Sequence, residues 1–214
     1  MNVPALASSI LDLDAIRAAP LTQAPYRYVL GRQVIRSEAV PALLRDFPAI
    51  EKPGYLTLDE VGLAGRFGDL VAELESDAVS RVLGETFGID LVSCPRLTTV
   101  MRRSQSKYGA IHTDGAAKVM TLLLYMNEAW ETAEAGRLRV LYDGERFDPY
   151  AVEVPPTMGT MFAFLRADNS WHGHRPFAGE RRVVQVAWMR DAAELARKRR
   201  RNRTSQLLKG IFRR

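Results

Sequence analysis

The run VMTLLLYM, residues 119–126, decides the fold, because it is the longest apolar stretch of the chain and only Thr121 interrupts it. Eight residues suit a buried strand and fall far short of the roughly 20 that a membrane-spanning helix requires. Five further runs rich in strand-forming residues follow Gly88, separated by turn residues. They are residues 97–102, 138–142, 151–154, 160–164 and 182–189. Six short strands in about 100 residues predict an antiparallel jelly-roll, or double-stranded β-helix.

The chain before Gly88 shows helical spacing instead. Apolar residues recur every three or four positions in residues 9–19 and 37–45, behind Ser or Asp residues that can cap a helix. Thr57 and Glu60 stand at capping-box spacing, which predicts a third helical stretch. Residues 67–87 predict one long amphipathic helix.

These patterns predict a mainly β protein with flanking helices (α+β) around a jelly-roll core. Residues 1–90 are expected to form a mixed helical segment that packs on the core, residues 91–190 the jelly-roll domain, and residues 191–214 a basic C-terminal tail. A chain of 214 residues with 47% apolar and 26% charged residues has the balance of one folded domain with a full core.

The net charge of +5 belongs to the tail. Residues 190–214 carry ten Lys or Arg against Asp191 and Glu194, so the rest of the chain sums to −3. Apolar side chains at Leu207, Leu208, Ile211 and Phe212 lie among these charges. The pattern predicts either a solvated tail or one that binds a partner, which is an anionic membrane surface, nucleic acid or an acidic protein.

Cysteine content and the N-terminal residues favour a cytoplasmic protein, with peripheral membrane attachment through the tail as a second expectation. The one cysteine, Cys94, cannot form an internal disulfide. The first 20 residues lack a basic leader, and Asp12 and Asp14 interrupt the apolar stretch that an export signal would need.

Only three histidines are present, and all lie in the β-rich half. They are His112 in the run Ile111-His112-Thr113-Asp114, and the pair His172 and His174. In an extended strand, residues two apart point to the same side, so His112 and Asp114 can face one point. A second imidazole from a distant strand would complete a site of two histidines and one carboxylate, which suits Fe(II) and leaves positions open. Zinc hydrolysis and a core histidine bonded to a carboxylate are the alternatives.

The residues around these histidines follow a recognisable order. It runs His112-Thr113-Asp114, Tyr125-Met126-Asn127, Trp130, Gly136-Arg137-Leu138, His172, Pro176 and Arg181-Arg182. This order resembles the Fe(II)/2-oxoglutarate dioxygenases, particularly the prolyl 4-hydroxylase-like branch, over about residues 97–189. The resemblance implies a hydroxylase that uses Fe(II) as cofactor and 2-oxoglutarate and dioxygen as co-substrates, with ascorbate as a candidate reductant.

The resemblance also implies the metal ligands, which are His112, Asp114 and His172. Pro176 stands at the family's spacing from His172, which favours it over His174 as the distal ligand. His174 is then expected at the rim of the site, although strand parity alone does not separate the two histidines.

By the same resemblance, a basic residue binds the far carboxylate of 2-oxoglutarate, and the hydroxyl of Tyr125 assists it. An arginine fork matches a carboxylate. We expect Arg182 in this role, because the family's tryptophan six positions later shares the inner face and Trp188 stands six after Arg182. Arg181 would then point outward, and it remains the alternative.

The expected substrate is unidentified: a protein side chain such as proline, or a small molecule. Two other functions compete with the enzyme, namely a non-catalytic, cupin-like metal-binding module and a nucleic-acid- or membrane-associated protein that acts through its basic tail. Lys118, Arg102 and Arg103 receive no role at this stage, and Tyr108 is a candidate for the pocket wall.

Overall fold

Two antiparallel sheets form the core of the protein, as seen in a computed structural model that describes residues 9–132 and 134–197. The strands are β1 (Leu21–Thr22), β2 (Tyr28–Gly31), β3 (Leu56–Thr57), β4 (Arg96–Ser104), β5 (Lys118–Tyr125), β6 (Leu138–Leu141), β7 (Tyr150–Val154), β8 (Thr160–Leu165), β9 (His172–Gly173) and β10 (Gly179–Met189). The larger sheet has the order β1-β2-β8-β5-β10-β4-β3, and the smaller one β7-β6-β9. The predicted jelly-roll is confirmed.

Strand β5 lies at the centre of the larger sheet, between β8 and β10. Its last six residues are all buried, because both faces of the sheet are covered. Leu122 and Leu124 pack toward the helices, whereas Leu123 and Tyr125 face the space between the two sheets. This double burial explains why the deciding run is continuously apolar instead of alternating.

Four helices cover the outer face of the larger sheet. They are α1 (Leu13–Ala18), α2 (Val40–Asp46), α3 (Gly65–Leu74) and α4 (Asp77–Phe87), and short 3₁₀ turns occupy Ser37–Ala39 and Leu58–Glu60. Their apolar residues share one core cluster with β5 and β10. The capping box predicted at Thr57 and Glu60 is present, but it caps a single 3₁₀ turn.

The prediction of one long helix over residues 67–87 is wrong. The helix is broken at Ser76, whose extended backbone ends α3 and whose hydroxyl accepts a hydrogen bond from the Val79 amide, at 3.4 Å, to start α4. Serine is a preferred N-cap residue, so the local chemistry favours a second start over continuation. Gly88 ends α4 in the left-handed conformation, with φ of 66°.

The six predicted strands are all present, with ends shifted by at most three residues. Strand β2 and the short strands β1, β3 and β9 were not predicted. The first helix begins at Leu13 instead of Ser9, because Asp12 caps it. Within residues 9–132 and 134–197, no helix combines the length and apolar composition needed to cross a membrane. Residues 192–197 are helical, and the basic run that follows lies outside the described residues.

Candidate metal centre

A cavity of about 150 Å³ opens between the two sheets. One water takes about 10 to 15 Å³ by this measure, so the cavity has room for about ten groups of that size. This is the size of a small organic acid. Met101, Leu123 and Leu138 provide apolar wall. The main polar side chains that line it are Tyr55, His112, Asp114, His172, Arg181 and Gln185.

Three of these side chains converge. His112, Asp114 and His172 each offer one ligand atom, and these atoms all lie within 4.8 Å of one another. The two histidines are neighbours across an isolated antiparallel bridge, where each backbone amide donates to the carbonyl of the other at 3.0 Å. His112 therefore lies outside any regular strand, but the single bridge brings it beside His172 as strand pairing would.

The hydrogen bonds of both imidazoles suit metal binding. Nδ1 of His112 lies 2.8 Å from the carbonyl oxygen of Ala110, and Nδ1 of His172 lies 2.9 Å from that of Ser170. A carbonyl only accepts, so each Nδ1 carries a proton, which leaves Nε2 as the atom of each ring that can bind a metal. Burial lowers the pKa of His172 to about 4, with a further contribution from His112, so this ring is neutral at pH 7. Neutral imidazole is the metal-binding form.

Asp114 is held from two sides. Its Oδ1 lies 2.7 Å from Nζ of Lys118, and its Oδ2 accepts a hydrogen bond from Oγ1 of Thr121 at 2.5 Å. Burial alone would raise the pKa of this carboxyl, but the charges of Lys118 and His172 and the hydrogen bonds outweigh it, and the net pKa is lowered. Asp114 is thus an ionised carboxylate although it is only 8% exposed.

Arg181, and not Arg182, reaches the cavity. Arg181 is 2% exposed, and it donates from Nε to the carbonyl of Gly136 at 2.9 Å and from Nη2 to the hydroxyl of Tyr125 at 3.1 Å. Arg182 lies on the opposite face of β10, where it pairs with Glu180 and covers the ring of Phe47.

The prediction that Arg182 faces inward is therefore wrong. Arg182 and Trp188 do share a face, but it is the helix-facing side of the sheet, where the indole of Trp188 donates to Ser80 at 3.0 Å. A bulge between Glu180 and Val183 also shifts the register of β10 against β4. Asn127 holds this bulge, because its Oδ1 accepts from the amide of Arg182 at 2.7 Å.

Arg181 has no carboxylate partner among the residues that the structure describes. A buried guanidinium without an anion is costly, because burial removes its hydration. Its two hydrogen bonds go to neutral groups, and the Tyr55 hydroxyl that also approaches it is neutral, so none of these contacts balances its charge. The cavity thus contains a cation that requires an anionic ligand.

Tyr55 was not singled out from the sequence, and nothing in its local pattern distinguishes it. Its ring is 39% exposed at the mouth of the cavity, while its hydroxyl reaches inward to Arg181. Burial of this hydroxyl raises the pKa of Tyr55 to about 12, and the charge of Arg181 opposes that rise. The side chain belongs to the segment before β3, which joins the site only through the edge pairing of β3 with β4.

The remaining candidates divide between wall and surface. His174 lines the cavity, and burial followed by the charge of Arg181 lowers its pKa to about 4. Tyr108 also lines the cavity. Arg102 and Arg103 instead form ion pairs with Glu51 and are not part of this wall.

The chain is similar to one protein family by sequence and to solved proteins by structure. A family model described as the 2OG-Fe(II) oxygenase superfamily matches residues 98–190. No curated protein sequence is significantly similar to this chain.

Three similar solved structures are prolyl hydroxylases. One from Pseudomonas putida has a TM-score of 0.56 and 18% identity, and the match covers 84% of this chain and 97% of that one. One from Phytophthora capsici has a TM-score of 0.56 and 20% identity, with coverage of 76% and 58%. One from Trichoplax adhaerens, in complex with a hypoxia inducible factor peptide, has a TM-score of 0.50 and 13% identity, with coverage of 79% and 86%.

These likenesses establish the fold, and the family match includes the converging residues His112, Asp114 and His172. The neutral imidazole of His172, an ionised carboxylate and a buried arginine agree with the family's need for iron and a dicarboxylate. Residues 98–190 thus match the 2OG-Fe(II) oxygenase superfamily, and the fold and the converging side chains agree with an oxygenase that uses Fe(II) and 2-oxoglutarate.

Proposed function

We propose that His112, Asp114 and His172 hold the iron, and that Arg181 and Tyr125 bind the far carboxylate of 2-oxoglutarate. The observation that carries this proposal is the buried, anion-free Arg181 in the same cavity as the three converging ligands. Tyr125 is fully buried, and its hydroxyl accepts from Arg181, so its own proton is free for a carboxylate oxygen.

Each side chain then has one task. The two Nδ1–H groups fix the imidazole rings so that Nε2 points into the cavity, and Thr121 fixes one oxygen of Asp114. Arg181 neutralises and orients the dicarboxylate at the closed end, and the apolar walls exclude water from the reaction. If bound, iron would activate dioxygen, the oxidant, so that one oxygen atom converts a substrate C–H bond to C–OH while 2-oxoglutarate is oxidised to succinate and carbon dioxide.

The substrate is proposed to meet the wall formed by β4 and β10. Gln185 lines the cavity and lies directly across from Thr99 on the neighbouring strand. Neither side chain has a hydrogen-bond partner among the described residues, so both can serve a polar group of the substrate. Because the similar structures are prolyl hydroxylases, a peptide prolyl residue is the first substrate to test and a small molecule the second.

Anaerobic reconstitution tests the site. Protein mixed with Fe(II) and 2-oxoglutarate should develop the weak visible charge-transfer band of the chelate, and His112→Ala and Asp114→Ala should abolish it. Asp168→Ala is the matched control, because Asp168 is an exposed carboxylate that pairs with Arg166. If the folded wild-type protein binds iron but shows no band, the 2-oxoglutarate assignment fails.

Partners and location beyond this site remain predictions from the sequence. A cytoplasmic location is one such prediction. Binding of membranes or nucleic acid through the basic tail is another, and it depends on residues 198–214, which lie outside the described residues. Co-sedimentation with anionic liposomes and with oligonucleotides, using the full chain and a chain that lacks residues 198–214, tests it. Equal binding by the two chains would exclude a role for the tail.

A further inference from the structure

Lys118 places an ammonium group directly on the carboxylate of Asp114. Nζ lies 2.7 Å from Oδ1, and the lysine and aspartate side chains are only 12% and 9% exposed. Electrostatic interactions at so shielded a position are much stronger than at the surface. A full positive charge thus lies beside an oxygen pair that a metal ion would share.

We propose that Lys118 is a positioning residue that acts as an internal counter-ion: it neutralises Asp114 in the metal-free protein and lowers the affinity of the site for a divalent cation. The inference rests on the proposed function, in which Asp114 is a metal ligand. A divalent ion on either oxygen would lie within a few ångströms of the ammonium group, and the two cations repel each other. Metal binding is therefore opposed by Lys118.

A hydrogen-bond partner of a metal ligand usually has the opposite effect, because it orients the ligand and strengthens metal binding. Thr121 allows the orienting effect of Lys118 on Asp114 to be separated from its charge repulsion of the metal. Its hydroxyl holds Oδ2 at 2.5 Å without any charge, and it remains in place when Lys118 is changed. Orientation of Asp114 thus survives the loss of Lys118, whereas the repulsion does not.

The same ion pair supports the metal-free fold. Besides Lys118, the cation in contact with Asp114 is Arg166, which donates to the backbone carbonyl at 3.2 Å and pairs with Asp168, so it does not neutralise the carboxylate. Without Lys118, a buried carboxylate would lack a cation until a metal binds. Loss of Lys118 should therefore destabilise the metal-free protein and increase the stabilisation that metal provides.

Titration with Mn(II), with free Mn(II) followed by electron paramagnetic resonance, measures this affinity without turnover. Because the repulsion is removed, we expect Lys118→Gln and Lys118→Met to bind Mn(II) about 10- to 100-fold more tightly than the wild type. Lys118→Arg keeps the charge and should match the wild type, as should Lys52→Gln, which removes an exposed lysine paired with Glu60. Thermal melts should show a larger rise on adding Mn(II) for Lys118→Gln than for the wild type.

Two outcomes separate this inference from the proposed function. If His112→Ala abolishes Mn(II) binding but Lys118→Gln and Lys118→Met bind no more tightly than the wild type, the counter-ion role is overturned and the metal site stands. If His112→Ala binds Mn(II) as well as the wild type, the metal site itself is overturned. A purely structural ion pair would lower the melting temperature of Lys118→Gln without tighter Mn(II) binding, and that result also rejects the inference.

Discussion

Replacing Arg181 with methionine removes the one cation proposed to hold the far carboxylate of 2-oxoglutarate. The side chain is 2% exposed, so the ion pair it would form is shielded from water. At about 4 Å and an effective dielectric constant of about 20, such a pair contributes roughly 4 kcal/mol. Each 1.4 kcal/mol is about tenfold in affinity, so we expect Arg181→Met to raise the Kd for 2-oxoglutarate by about 100- to 1000-fold.

Anaerobic titration of the Fe(II) protein with 2-oxoglutarate, followed by its charge-transfer band, measures this Kd. Arg181→Lys keeps the charge but loses the fork that reaches Gly136 and Tyr125, so we expect a loss of about tenfold. Arg182→Met is the matched control, because its pair with Glu180 is partly exposed on the other face of the sheet. It should change the Kd by less than about threefold.

The reasoning is refuted if Arg182→Met weakens 2-oxoglutarate binding as much as Arg181→Met does. It is equally refuted if folded Arg181→Met binds with the affinity of the wild type. Circular dichroism and Mn(II) binding establish that each variant is folded and retains the metal site, so that a loss of 2-oxoglutarate affinity is not a loss of structure.

Three further predictions concern stability and substrate. Burial lowers the pKa of both His172 and His174 to about 4, below the unfolded value of 6.5. The metal-free protein should therefore lose stability as the pH falls from 6.5 toward 4, by roughly 3 kcal/mol per histidine. Equal urea midpoints at pH 7 and pH 5 would contradict this. Gly109→Ala should lower the free energy of unfolding, measured in urea, by about 3 kcal/mol, because a Cβ at φ of 90° would lie 2.3 Å from the ring of His174. Gly62→Ala is the control: a Cβ there has nothing within 4 Å, so it should cost less than about 1 kcal/mol. Gln185→Leu should lower peptide-dependent succinate formation at least about fivefold while the Kd for 2-oxoglutarate stays unchanged, and an unchanged rate would remove Gln185 from the substrate wall.

Local patterns were enough for the strands and for most of the helices. The apolar runs predicted six of the ten described strands, because strand and helix periods can be read from neighbouring residues. The same patterns failed at Ser76, where a cap competes with a continuous apolar stripe, and at β9, where two residues are too few to carry a period. The spacing of His172 from Pro176 also selected the histidine that converges with His112 and Asp114.

The sequence by itself predicted the jelly-roll from residue type and order, and the resemblance of its motifs to a known family predicted the three side chains that converge and the need for an interior arginine. Only the tertiary structure decided which arginine enters, because a bulge held by Asn127 and the helix layer behind Trp188 set the inner face of β10. It alone placed Tyr55 at the mouth of the cavity and Lys118 on Asp114. Those contacts depend on how far side chains reach across paired strands and through one short turn, and the spacing of residues along the sequence does not reveal this.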